Sequence, residues 1–314
     1  MSKDFVIISD SACDLNKELR DRFGVADYVP GHVIWPDGSD HLADLDWGEV
    51  SPEEYFTMIS NKKNVFSTGT PSIPDTIDVM EKYLSKGQDV LAIVLSTGIS
   101  GTYGVFVNAA REMQEKYPDR KIIVVDSLRY STSLALLCMY AAGLRNMGKT
   151  IDEVAEWVET NKHCVHQIGW MDDLFYCKRM GRVSNVAAVM GTLVGIKAMA
   201  DFNEYGKNYV IGKTRGYNNA YIACVEYMKA TIINPESQII FLAQTLRKKE
   251  AEELRALIQK ELNPKEIIMT TVGPSCGTAI GPGFVAAYYF GRKVTKGLEK
   301  EQQIFEKILK TKCK

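Results

Sequence analysis

Apolar residues recur along the first half of this chain in short unbroken runs, each followed by a stretch of helical period. The run Phe5-Val6-Ile7-Ile8 ends in Asp10-Ser11-Ala12-Cys13-Asp14, and a helix is predicted over 15–23 with Asp14 as its cap. A second short strand is predicted over 26–33, followed by a polar, irregular stretch over 35–49 that turns at Pro36-Asp37-Gly38. Ser51-Pro52-Glu53-Glu54 then opens a helix to about residue 60, with Ser at the N-cap and Pro at the first position. Residues 66–74 show neither period and lead into a helix that ends near 85. The stretch 90–102 begins as a buried strand and finishes as the turn Ser96-Thr97-Gly98-Ile99-Ser100-Gly101-Thr102. Helices are predicted over 103–116, 130–147 and 151–161, with a further strand over 121–125. Wholly apolar strands alternating with helices predict parallel βαβ units in a layered α/β domain.

The second half reads differently. Strands are predicted over 165–170, 238–244, 267–272 and 284–290, and a hairpin joins 196–202 to 209–213. Helices are predicted over 172–178, 185–194, 217–230 and 247–262. The glycine-rich stretch 273–283 reads as a loop. No internal repeat is visible.

A chain of 314 residues suggests two domains. We expect boundaries at 1–160 and 161–291, with a basic helical extension over 292–314. The net charge of −1 gives no electrostatic case for nucleic acid. The N-terminus enters a strand at once, so no signal peptide is expected, and no apolar run is long enough for a membrane span. Seven scattered cysteines, an odd number, point to a reducing cytoplasm rather than a disulfide framework.

Three strands of the first half end in hydroxyl or acid groups: Asp10-Ser11, Ser96-Thr97 and Asp126-Ser127. In parallel α/β sheets the carboxyl ends of the strands share one edge, where ligands bind. The loop at Thr68 is a fourth contributor. If these meet, neutral hydroxyls and helix N-termini line a crevice suited to a carboxylate or phosphate. The candidates are Thr68, Ser96, Ser100, Gly101 and Ser127, although such residues also cap helices that follow strands. Other chemistry is poorly supported. Gly98-Ile99-Ser100-Gly101-Thr102 misses the nucleophile-elbow pattern at its last position, and no histidine stands near it in sequence. His163-Cys164-Val165-His166 lies in a predicted strand, where adjacent ligands point to opposite faces, so no zinc site is expected. Cys276 has no visible base and reads as a buried thiol.

Taken together, several short motifs resemble the DegV family of bacterial fatty-acid-binding proteins. They are Asp10-Ser11-Ala12-Cys13-Asp14-Leu15, Thr68-Gly69-Thr70-Pro71-Ser72, Ser100-Gly101-Thr102-Tyr103, Asp126-Ser127, Met180-Gly181-Arg182-Val183-Ser184, Gly195-Ile196-Lys197, Lys213-Thr214-Arg215-Gly216 and Gly281-Pro282-Gly283. The resemblance implies a three-layer α/β/α domain with a parallel sheet plus a smaller two-layer α/β domain with a mixed sheet. It implies that a long-chain fatty acid is enclosed between them, its carboxylate held at Thr68 and Ser100. It also implies a cytoplasmic, non-enzymatic carrier without cofactor or metal, which presents its ligand to a fatty acid kinase subunit. The helix over 185–194, with Val186, Val189, Met190 and Leu193, is a candidate tail lining. Arg182 is expected to face the head group or the kinase partner, or to form a surface or interdomain ion pair.

The sequence departs from the family pattern where the last loop normally carries a histidine, here Ala279. That histidine lies near the head group in kinase-coupled members, so its absence bears on phosphorylation of the ligand more than on binding. The family's Gln in the Thr-loop is Thr70, and its Pro-Leu after the second strand is Pro30-Gly31. In the extension, Leu298, Phe305, Ile308 and Leu309 form one apolar helical face, expected to pack on its own domain with transient membrane-surface contact as the alternative. Two rival readings stand beside the carrier: a phosphoryl-transfer or phosphosugar enzyme using the same crevice, and a regulatory module without ligand.

Overall fold

A computed structural model describes residues 4–184 and 195–313, and the helix predicted over 185–194 lies outside them. The chain forms two compact units. The first comprises Met1–Glu49, Val65–Lys162 and Gly273–Cys276. Its elements in chain order are β1 (Phe5–Asp10), α1 (Lys17–Phe23), β2 (Asp27–Val29), β3 (His32–Ile34) and β4 (Asp40–Leu42). After α2 (Pro52–Ser60), which belongs to the second unit, come β5 (Ser67–Gly69), α3 (Ile73–Leu84), β6 (Asp89–Val94), α4 (Thr102–Lys116), β7 (Ile122–Asp126), α5 (Thr132–Asn146) and α6 (Ile151–Asn161).

The four-stranded sheet has the order β2-β1-β6-β7, with every pairing parallel. Its central strands β1 and β6 are apolar over Phe5–Ile8 and Val90–Val94 because both faces are covered. Val6, Ile8, Val90, Ala92 and Val94 pack against Met80, Tyr83 and Leu84 of α3 and Phe106, Ala109 and Met113 of α4. Strand alternation turns Ile7, Leu91 and Ile93 to the opposite face, and α5 and α6 pack on the strands there. This is the expected α/β/α layering.

Three local expectations are corrected. The strand predicted over 26–33 breaks at Pro30-Gly31: β2 joins the parallel sheet, and β3 joins a second sheet of order β4-β3-β5. The irregular stretches 35–49 and 66–74 each supply one strand of that small sheet, and at three residues neither is long enough to show a period. Asp14 does not cap α1. Asn16 does, accepting the Leu19 N–H at 3.0 Å, while Asp14 turns inward from a left-handed backbone.

The second unit comprises Val50–Asn64, His163–Val272 and Gly277–Lys314. It contains α2 and then β8 (Val165–Met171), α7 (Phe175–Met180), β9 (Val183–Ser184), β10 (Ile196–Phe202), β11 (Asn208–Arg215), α8 (Gly216–Thr231), β12 (Ile239–Thr245), α9 (Lys248–Leu262) and β13 (Glu266–Thr271). It ends with α10 (Pro274–Ile280), β14 (Phe284–Phe290) and α11 (Glu299–Thr311), of which α10 begins in the first unit's stretch. The sheet is mixed and seven-stranded, in the order β13-β12-β14-β8-β10-β11-β9. The predicted hairpin is β10 paired antiparallel with β11.

Helices α8, α9 and α11 bury a core with Ile168, Trp170, Met199, Ile240, Leu242 and Tyr289. The C-terminal extension packs on its own unit, burying Leu298, Phe305 and Ile308 there. A β-carbon on Gly212 of β11 would stand 2.4 Å from the Phe305 ring, so that glycine makes room for the helix. The apolar face is thereby occupied, and a membrane-surface role for it is set aside. The short helix predicted over 172–178 begins three residues later. The stretch read as a glycine-rich loop, 273–283, holds α10. Its glycine at 277 is a packing glycine rather than a breaker, since a β-carbon there would stand 2.7 Å from Phe56 Cζ.

Candidate functional site

The carboxyl edge of the parallel sheet is built from its own turns. At the end of β1, Asp10 accepts the Ala12 N–H at 2.8 Å and the Leu95 N–H at 2.7 Å, which ties the ends of β1 and β6 together. At the end of β7, Asp126 accepts the Thr97 N–H at 3.2 Å and also its hydroxyl. Ser96 Oγ accepts the Gly98 N–H at 3.0 Å, and Ser127 Oγ closes a turn on both backbone groups of Arg129. Ser96 and Ser127 are fully buried. Their hydroxyls shape these turns and offer no surface to a ligand, which corrects the expectation for both.

Ser100 is placed differently. It is half-buried, its Oγ accepts the Thr102 N–H at 3.3 Å, and it shares a hydrogen with Thr102 Oγ1 at 2.9 Å. In the arrangement where Thr102 Oγ1 donates to Ser100 Oγ, the serine's own proton is free for an external acceptor. Gly101 is the N-cap of α4 and has no side chain with which to cap it. In that first turn Ser100 Oγ takes the Thr102 N–H, and the Gly101 carbonyl takes the Gly104 N–H at 3.0 Å and the Val105 N–H at 3.4 Å.

The Thr68 loop reaches the same turn. Thr68 pairs with Val33 in the β3–β5 ladder and is half-buried, and among the described residues its hydroxyl has no hydrogen-bond partner. Two residues on, Thr70 Cγ2 lies 3.9 Å from where a β-carbon on Gly101 would stand. The structure thus sets Thr70 of one motif beside Gly101 of the other, two motifs separated by some thirty residues of chain. Arg182 belongs to the other unit. It is exposed, and its guanidinium donates to the Met180 carbonyl. Ala279, at the position of the family histidine, is half-buried on α10.

Ser11 is among the strand-end hydroxyls expected in the crevice; its partners Gly31 and Ser275 carry no signal in the sequence. Ser11 Oγ accepts the Gly31 N–H at 2.9 Å and shares a hydrogen with Ser275 Oγ at 2.7 Å. A β-carbon on Gly31 would stand 2.9 Å from the Gly69 carbonyl oxygen. Pro30-Gly31 stands where the family pattern has Pro-Leu. The close backbone approach supplies its physical reason.

Behind Ser11 lies a buried acid pair. Burial raises Asp10 to about 6 and Asp14 to about 7. Asp14 is held by the Ser131 hydroxyl and by the Gly273 N–H at 2.8 Å. Burial also raises the thiols of Cys13, Cys138 and Cys276, so Cys276 is a protonated, inert thiol rather than a nucleophile. A carboxyl raised on folding adds stability that is full below its unfolded value near 4 and is lost as pH rises through 7. Relative to Asp14→Asn, the wild-type protein is expected to lose up to roughly 4 kcal/mol of unfolding free energy between pH 4 and pH 8. Urea unfolding at both pH values measures this, and parallel pH profiles for the two proteins would refute it.

Comparison with known proteins gives a consistent picture. A family model described as "Uncharacterised protein, DegV family" matches residues 4–292. The DegV domain-containing protein CPE0026 of Clostridium perfringens is 31% identical over 290 residues, covering 92% of this chain and 98% of that protein. Among solved structures, a DegV lipid binding protein of Thermotoga maritima is 25% identical with a TM-score of 0.78, covering 92% of this chain and 99% of that one. A second Thermotoga maritima protein, TM841, described as revealing fatty acid binding function, is 25% identical with a TM-score of 0.77 and covers 91% and 99%.

Proposed function

This chain belongs to the DegV family, and from that premise we propose that it binds a long-chain fatty acid without chemical turnover, the carboxylate held by Thr68 and Ser100 at the start of α4. The observation that carries this reading is the meeting of the two hydroxyl motifs at Gly101, where Thr70 closes to 3.9 Å of the glycine's missing β-carbon. A carboxylate there receives the Ser100 and Thr68 protons, with the N-terminal field of α4 behind them. The lipid and fatty acid binding described for the two Thermotoga maritima relatives supports the same ligand class.

Charge-assisted hydrogen bonds contribute about 1.5–3 kcal/mol each, and every buried methylene about 0.8 kcal/mol. The tail therefore dominates affinity, and the hydroxyls orient the head. Candidate tail residues over 185–194 lie outside the described part of the chain. Presentation of the bound acid to a kinase subunit, in the cytoplasm, is part of the same proposal. Seven free thiols accord with a reducing compartment, and no described helix is long and apolar enough to cross a membrane. Ala279 in place of histidine leaves binding intact in this reading and bears on phosphorylation of the ligand.

Native mass spectrometry of the purified protein, followed by organic extraction, tests the reading. The expected result is a one-to-one adduct with the mass of a long-chain acid. A clean apo mass that stays clean after incubation with oleate and palmitate would refute it.

A further inference from the structure

Helix α6, in the first unit, carries four carboxylates: Asp152, Glu153, Glu156 and Glu159. Three of them hold a lysine, Asp152 with Lys121 at 2.5 Å, Glu153 with Lys149 at 2.8 Å and Glu159 with Lys162 at 2.6 Å. Glu156 is exposed and forms no ion pair among the described residues.

Glu153, Glu156, Trp157 and Thr160 fall at helical spacings of three and four and share one face of α6. With Leu144 of α5 and Lys149 of the turn between the helices, they line a groove of about 340 Å³. That is room for a small ligand, since such sites run from roughly 300 to 1,000 Å³. Trp157 is half-buried, and the Tyr140 ring of α5 packs 5.7 Å from it. The charge of Lys149 is answered by Glu153, so the groove keeps the uncompensated charge of Glu156. An anion is repelled there, and a neutral guest leaves the carboxylate to water. A cation with an apolar body answers both surfaces: an indole attracts a cation to its ring, and a carboxylate accepts N–H groups.

We propose that this groove binds a small organic ammonium ion, its apolar body against Trp157 and Leu144 and its N–H groups on the Glu156 carboxylate. The proposal is independent of the fatty acid reading, since neither Thr68 nor Ser100 lines the groove.

Nuclear magnetic resonance titration of the isotope-labelled full chain tests it, with phenethylammonium as the probe and 2-phenylethanol as its neutral isostere, at fixed low ionic strength. The chain has four tryptophans, and Trp157→Phe identifies the indole N–H resonance of Trp157, which localises binding to the groove. Phenethylammonium is expected to move that resonance saturably with a Kd on the order of 1 mM, in keeping with a ligand of about ten non-hydrogen atoms. The alcohol is expected to bind about fivefold more weakly. Glu156→Gln is expected to weaken the amine about threefold and to leave the alcohol unchanged. Because Glu156 is exposed and unpaired among the described residues, that substitution removes no ion pair from the fold. Equal affinity for amine and alcohol, an undiminished amine affinity in Glu156→Gln, or no movement of the Trp157 resonance with either probe would overturn the proposal.

Discussion

Alanine at both Thr68 and Ser100 is expected to weaken binding of a long-chain fatty acid by about 10²–10⁴-fold. Each hydroxyl offers one charge-assisted hydrogen bond worth about 1.5–3 kcal/mol, and the double substitution removes both. The fold should tolerate the change. The Thr68 hydroxyl holds nothing among the described residues, and loss of Ser100 Oγ takes one partner each from the Thr102 N–H and the Thr102 hydroxyl, about 1 kcal/mol each. Titration of oleate against both proteins measures the effect, with oleate methyl ester as the control. The ester carries no charge for the hydroxyls to hold, so its affinity should differ little between the two proteins. A double variant that binds oleate within threefold of wild type would remove Thr68 and Ser100 from the head-group site.

The second large effect concerns stability. Asp201 is fully buried and accepts four hydrogen bonds: from His166 Nδ1 at 2.6 Å, the Tyr227 hydroxyl at 2.7 Å, the Gln167 N–H at 3.0 Å and the Phe202 N–H at 2.7 Å. His166 Nε2 faces the Arg292 carbonyl oxygen at 2.6 Å. Both ring nitrogens thus meet acceptors, so the ring carries both protons and forms a buried ion pair with Asp201. Asp201→Leu leaves an unpaired imidazolium and three unsatisfied donors, and is expected to cost about 3–5 kcal/mol. Adding His166→Leu should restore part of that loss, because the stranded charge goes with it. Urea unfolding of the two single variants and the double variant gives the cycle. A cost below 1 kcal/mol for Asp201→Leu would show that the pair is not ionic.

Part of the candidate site is legible in the sequence. Ser100 and Gly101 stand out as hydroxyl and glycine positions after a buried strand and Thr68 as a hydroxyl in a stretch without period, and the fold sets Thr70 beside Gly101. Ser96 and Ser127 looked equivalent to them in sequence. The difference lies in which hydroxyl has a backbone partner within its own turn, and that depends on dihedral angles no residue pattern specifies. The position of Asp14 in the sequence suits a helix cap. Its actual partners, Ser131 and Gly273, come from distant stretches of chain.

The sequence alone determined the parallel α/β layering of the first unit, the β10–β11 hairpin, the amphipathic C-terminal helix and the hydroxyl motifs. These rest on local periods of two or 3.6 residues and on turn chemistry within a few residues. Tertiary structure decided the rest: the three-residue strands β2 to β5, the helix over a glycine-rich stretch, and the exchange by which Val50–Asn64 joins the second unit and Gly273–Cys276 the first. Those features draw their stability from contacts between residues far apart in the chain. Burial there, rather than local propensity, sets whether a segment is strand, helix or loop.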